Sequence, residues 1–122
     1  MPAEYRIDRP KRTVYSRAWG ILTDQDLIQN SAALYADPGF EPALDQLYDF
    51  TEVTEVKVSS PVLLHLALSS RFAPASRRAV AVSSDIAYGM ARMYAILSGR
   101  EDTIQVFRDR PSAVQWLEVP RG

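Results

Sequence analysis

Arg77-Arg-Ala-Val-Ala-Val-Ser83, followed at once by Ser84-Asp85 and the run Ile86-Ala-Tyr-Gly-Met-Ala-Arg-Met-Tyr-Ala-Ile-Leu97, decides the fold class. A strand with a wholly apolar centre is expected where helices cover both faces of a sheet. The Ser-Asp pair behind it supplies an N-cap and a negative charge at the positive end of a helix dipole. Gly99, after Ser98, marks the C-cap. A strand feeding a capped helix is the building unit of a parallel sheet joined by right-handed crossovers.

Upstream, Gln46-Leu-Tyr-Asp-Phe50 reads as a short strand. Residues 51–58 set Thr, Glu and Lys against Val53, Val56 and Val58 without a clean period, which predicts an extended crossing segment or an irregular turn. Ser60-Pro61 starts a helix running to about Ser70, with serine as the cap and proline at the first helical position. Thr23-Asp-Gln-Asp26 opens an earlier helix, with Asp24 and Asp26 read as capping charges, and Asp37-Pro-Gly39 ends it. Leu27, Ser31, Leu34 and Tyr35 fall on one side of it. Residues 5–7 and 13–19 read as antiparallel strands around the polar turn 8–12. Downstream, residues 104–107 form the last strand, and Asp109-Arg-Pro-Ser112 opens a final helix through Leu117. The order is ββαβαβαβα. It predicts an α/β fold with a mixed, mostly parallel sheet of about five strands and helices on its faces.

Residues 1–122 are expected to form a single domain, since domains hold ~100–150 residues. A hydrophobic share of 47% and a charged share of 24% exclude a disordered or collagen-like chain. Fourteen basic and 15 acidic side chains leave a net charge of −1, which argues against a nucleic-acid binder. Without cysteine and with one histidine, the chain offers no disulfide, no thiolate nucleophile and no zinc ligand set. The opening residues 1–9 carry no apolar run, so no secretory leader is expected, and Val62-Leu-Leu-His-Leu-Ala-Leu68 is far shorter than the ~20 residues of a membrane span. A cytoplasmic protein with no integral membrane segment is expected.

No catalytic residue stands out. His65, amid leucines, lacks an identifiable orienting partner and nucleophile, and the carboxylates form no acid/base pair. No glycine-rich loop predicts a phosphate-bearing cofactor, so none is expected. Two regions remain. Ser59 and Ser60 stand where a strand's carboxyl end meets a helix N-terminus, a place that tolerates an added phosphate. The helix from Asp85 carries Ile86, Met90, Met93 and Leu97 on one stripe flanked by Tyr94, with Tyr88 and Arg92 on another face. A core-facing stripe is the default reading. Apolar side chains on more than one face point beyond it, to an apolar ligand held by Tyr88, Met90, Met93 and Tyr94 or to a homodimer contact.

Gly20-Ile-Leu-Thr-Asp-Gln-Asp26, Leu47-Tyr-Asp49, Arg78-Ala-Val-Ala-Val82, Val106-Phe-Arg-Asp109 and Ala113 with Trp116-Leu117 together resemble the SpoIIAA-like proteins. These small bacterial proteins are related to STAS domains, the sulfate-transporter and anti-sigma-factor-antagonist fold. The resemblance spans nearly the whole chain. It implies a non-enzymatic regulatory or protein-interaction domain. In anti-sigma antagonists a phosphorylated serine opens the helix after the third strand, within an Asp-Ser-Ser-Gly-like turn. Lys57-Val-Ser-Ser-Pro61 resembles that turn and places Ser59 and Ser60 at the switch position. No aspartate precedes them, however, and Pro61 stands where the glycine would be. The resemblance extends to SEC14-like lipid-binding domains, which implies a lipid-like ligand as the alternative.

Overall fold

The computed structural model describes residues 2–121. The chain runs β1 (Ala3–Asp8), β2 (Thr13–Thr23), α1 (Asp24–Ala36), β3 (Asp45–Lys57), α2 (Ser60–Leu68), β4 (Arg78–Ala81), α3 (Asp85–Ser98), β5 (Ile104–Phe107) and α4 (Arg110–Leu117). This is the predicted element order. The sheet is ordered β1-β2-β3-β4-β5, with β1 antiparallel to β2 and every other pair parallel.

That monotone order explains how the helices are distributed. Each right-handed crossover that steps the same way across a sheet puts its helix on the same face. Helices α1, α2 and α3 therefore share one side. Helix α4 follows the last strand, crosses to nothing, and packs on the opposite face against β3, β4 and β5. Strand parity agrees. Phe50, Val80, Val82 and Ile104 meet Leu27, Ala87 and Ala91 on the three-helix side, whereas Leu47, Ala79 and Ala81 meet Ala113 on the other. Leu22, Leu47, Ile104 and Val82 are fully buried, each contributing about 1.5–3 kcal/mol.

Three local expectations are sharpened or corrected. Of the two readings for residues 51–58 the extended one holds and the turn does not: β3 continues to Lys57 and pairs with β2 as far as Thr23. A register shift hides this in the sequence: Gly20 pairs with Val53 but Ile21 with Glu55, so Thr54 is an extra residue. The inward valines are thereby spaced three apart instead of two. Gly20 sits at the same irregularity with φ +65°, a left-handed conformation natural to glycine.

The second correction concerns the start of α2. Its N-cap is Ser59, not Ser60, and its Oγ accepts the Val62 N–H at 3.4 Å. Ser60 and Pro61 thus occupy the first two helical positions. Third, the core stripe of α3 is Ala87, Ala91 and Ala95, while Ile86 and Met93 are exposed. Small side chains let α3 lie close to the sheet and to α2, which pushes the large ones to its flanks.

Candidate functional site

Helix α1 packs on β1 and β2, whereas α2 and α3 pack on each other. Between α1 and that pair, over the middle of the sheet, lies a partly open cavity of about 70 Å³. This is about half the ~150 Å³ of an engineered apolar cavity that accepts benzene, and several times what one water needs. Leu27, Leu34, Leu63, Leu66 and Met90 form its apolar walls. The α1 face read from the sequence, Leu27, Ser31, Leu34 and Tyr35, is one of these walls.

The floor is polar. Gln46 and Arg78 are register partners on β3 and β4, and Ser16 partners Tyr48 in the next row. Gln46 Nε2 donates to Ser16 Oγ at 3.1 Å, and its Oε1 accepts from Arg78 Nε at 3.1 Å. Arg78 Nη1 donates to Ser70 Oγ at 3.3 Å. The guanidinium carbon lies 4.4 Å from the Phe72 ring centroid and 5.2 Å from that of Tyr94. At 7% exposure, Arg78 is the one charged side chain among the described residues that line the cavity.

On the α1 side, Asn30 Nδ2 donates to the Tyr48 hydroxyl at 3.0 Å. Burial pushes the Tyr48 phenol up to about 12, against the opposing pull of the Asn30 contact. The Tyr48 ring stacks on Phe50 with centroids 4.3 Å apart. Edge-to-face contacts among Tyr35, Phe40 and Phe72 brace the end of the cavity nearest Arg78. Because Arg78 opens β4 and Gln46 lies at the second residue of β3, this site sits toward the amino ends of the parallel strands.

Ser59 and Ser60 occupy the other edge. Asp24, expected to serve only its own helix, receives the Ser59 N–H at 2.8 Å and the Ser59 hydroxyl at 2.9 Å. Helix α1 is instead capped by Thr23 and Asp26, whose reciprocal bonds form a capping box. Ser60 is exposed beside this junction.

Of the four α3 residues singled out in the sequence, Met90 and Tyr94 line the cavity. Tyr88 lies outside it under the Arg108 guanidinium, 4.2 Å from ring centroid to carbon, and Met93 faces outward. His65 is exposed on α2, outside the cavity lining. Sequence reasoning missed Ser16, Asn30, Gln46, Tyr48 and Arg78 as a group. Strand parity carried part of the signal: Arg78 shares a face with Val80 and Val82, and Gln46 with Tyr48.

No family model and no curated protein sequence matches the chain. Among solved structures it is similar to an uncharacterized protein of the DUF3478 family with a SpoIIAA-like fold, from Shewanella loihica. Identity is 24%, coverage 94% of this chain and 93% of that one, and the TM-score 0.64. The likeness concerns the fold: this chain has the SpoIIAA-like α/β architecture that its sequence resembled. No helix among the described residues is long and apolar enough to cross a membrane.

Proposed function

We propose that the chain is a non-catalytic binding domain whose cavity between α1, the α2–α3 pair and the sheet receives a small amphipathic molecule. The cavity carries this reading. Leucines and Met90 make up most of its walls, and Asn30 and Ser31 on α1 add polar groups there. The Arg78 charge, with Ser16, Gln46 and Tyr48, lies on the floor, giving the apolar site with a few placed polar groups that is typical of ligand pockets. Met90, unbranched and flexible, lets the pocket adjust to an occupant larger than 70 Å³. The sequence-based alternative of a lipid-like ligand is thus narrowed to a compact molecule or to one end of a longer one.

Less supports a phosphorylation switch. A phosphate on Ser59 would lose the hydroxyl bond to Asp24 and bring two negative groups together. A regulatory contact with a protein partner or a second copy finds its support elsewhere. Leu68 is 74% exposed and Ile86 70%, leaving apolar surface on both α2 and α3.

The test is native mass spectrometry of the full chain purified without denaturant, repeated on Ser31→Leu. Ser31 lines the cavity, and a leucine there occupies part of it. The reading predicts a co-purifying or added small molecule on the wild type and its loss from the variant. Equal adducts on both proteins, or none on either across a panel of amphiphiles, would refute it.

A further inference from the structure

Arg6, Arg12, Arg17, Arg108, Arg110 and Arg121 pair with carboxylates at the surface, where such pairs contribute little. Arg78, the most buried arginine among the described residues, has no carboxylate within 4.0 Å of its nitrogens among those residues. This inverts the usual pattern, in which buried charges are paired.

What holds the guanidinium is incomplete. Of its five N–H donors, one reaches Gln46 and one reaches Ser70. Phe72 and Tyr94 offer ring faces. Hydrogen bonds to a charged group are among the stronger ones, and a desolvated cation–π contact adds to them. Removing the ion from water is costly, and none of these neutral partners carries a compensating charge. The geometry is nevertheless set in advance: Ser16 orients Gln46, Gln46 fixes Nε, and the aromatic rings restrict the plane.

We infer that the molecule taken up by this cavity is a carboxylic acid bound as its anion, with the carboxylate on Arg78 and the apolar body among the leucines. The inference rests on the cavity reading above and assigns its ligand class. A carboxylate presents two oxygens that match the planar fork of a guanidinium. Charge count favours it over a phosphate. Arg78 supplies a single positive charge, and among the described residues the cavity lining holds no lysine, histidine or second arginine to balance a dianion. The small volume favours the same choice, since a carboxylate is the more compact head.

The test compares straight-chain carboxylates from butanoate to octanoate with the matched primary alcohols and alkyl phosphates, by calorimetry at neutral pH. The acid binds about tenfold to a hundredfold tighter than the alcohol of equal length, the range expected for hydrogen bonds to a charged group. It also binds tighter than the phosphate. In Arg78→Met that preference for acid over alcohol disappears; Arg78→Lys keeps part of it. Equal binding of acid and alcohol to the wild type overturns the carboxylate assignment and leaves the cavity reading standing. Tighter binding of the phosphate, or a preference for acids retained by Arg78→Met, also overturns it. No binding of any series member overturns both. The wild-type comparison decides the matter even if Arg78→Met does not fold.

Discussion

The Ser59 hydroxyl and backbone N–H both donate to the Asp24 carboxylate, at 2.9 and 2.8 Å, and so join the first residue of α1 to the N-cap of α2. Two helices separated by a long strand are fastened at one carboxylate. A charge placed on Ser59 meets Asp24 at hydrogen-bond range, whereas one placed on exposed Ser60 meets the open N-terminus of α2. Ser59→Asp is expected to lower stability by about 1–2 kcal/mol and Asp24→Asn to relieve that loss, while Ser60→Asp stays within ~0.5 kcal/mol of the wild type. Urea denaturation of the three variants and the double variant checks this. A neutral Ser59→Asp would show that the junction carries no weight.

Stability should fall at high pH through Tyr48. Its folded-state value is pushed up to about 12, chiefly by burial, above the ordinary 10.0. Between the two values the unfolded chain loses the proton and the folded one keeps it. The contribution is therefore present below pH 10 and lost as pH climbs toward 12, by up to roughly 2–3 kcal/mol. Tyr48→Phe should flatten that part of the curve. Equal pH dependence of the two proteins between pH 9 and 11.5 would count against it.

Ser31→Leu tests the cavity through stability. Ser31 is half-buried on α1, and its side chain makes no hydrogen bond with other described residues. Leucine is the better helix former and adds apolar volume to unfilled space. An increase of about 0.5–1.5 kcal/mol is expected in thermal or urea unfolding of the unliganded protein. A loss of similar size would mean that the space is already closed to a larger side chain.

Gly20 and Gly89 separate backbone strain from packing. A Cβ added at either one meets nothing within 4 Å, yet only Gly20 has a left-handed φ of +65°. Gly20→Ala should therefore cost about 1–2 kcal/mol, and Gly89→Ala, in the middle of α3, should add up to about 1 kcal/mol. Chemical denaturation of the pair reads both signs. Like signs for the two would contradict the backbone argument.

Much of this architecture was legible from the chain alone. Apolar β4 between two helices, the Thr23 and Ser84 caps and the glycine after Ser98 each signal structure through interactions a few residues long, and such signals survive without tertiary context. The α1 face of Leu27, Ser31, Leu34 and Tyr35 was legible for the same reason. Three features were not. The continuation of β3 was masked by the irregular register against β2, which exists only once the two strands pair. Asp24 read as a dipole charge because its partner lies 35 residues away. The site escaped notice because Ser16, Gln46 and Arg78 are unremarkable on their own strands and become a polar floor only when strands β2, β3 and β4 align. Local patterning thus determined the elements, their order and the mixed parallel sheet. Cross-strand register, which depends on contacts between segments far apart in sequence, decided that a buried guanidinium faces a cavity.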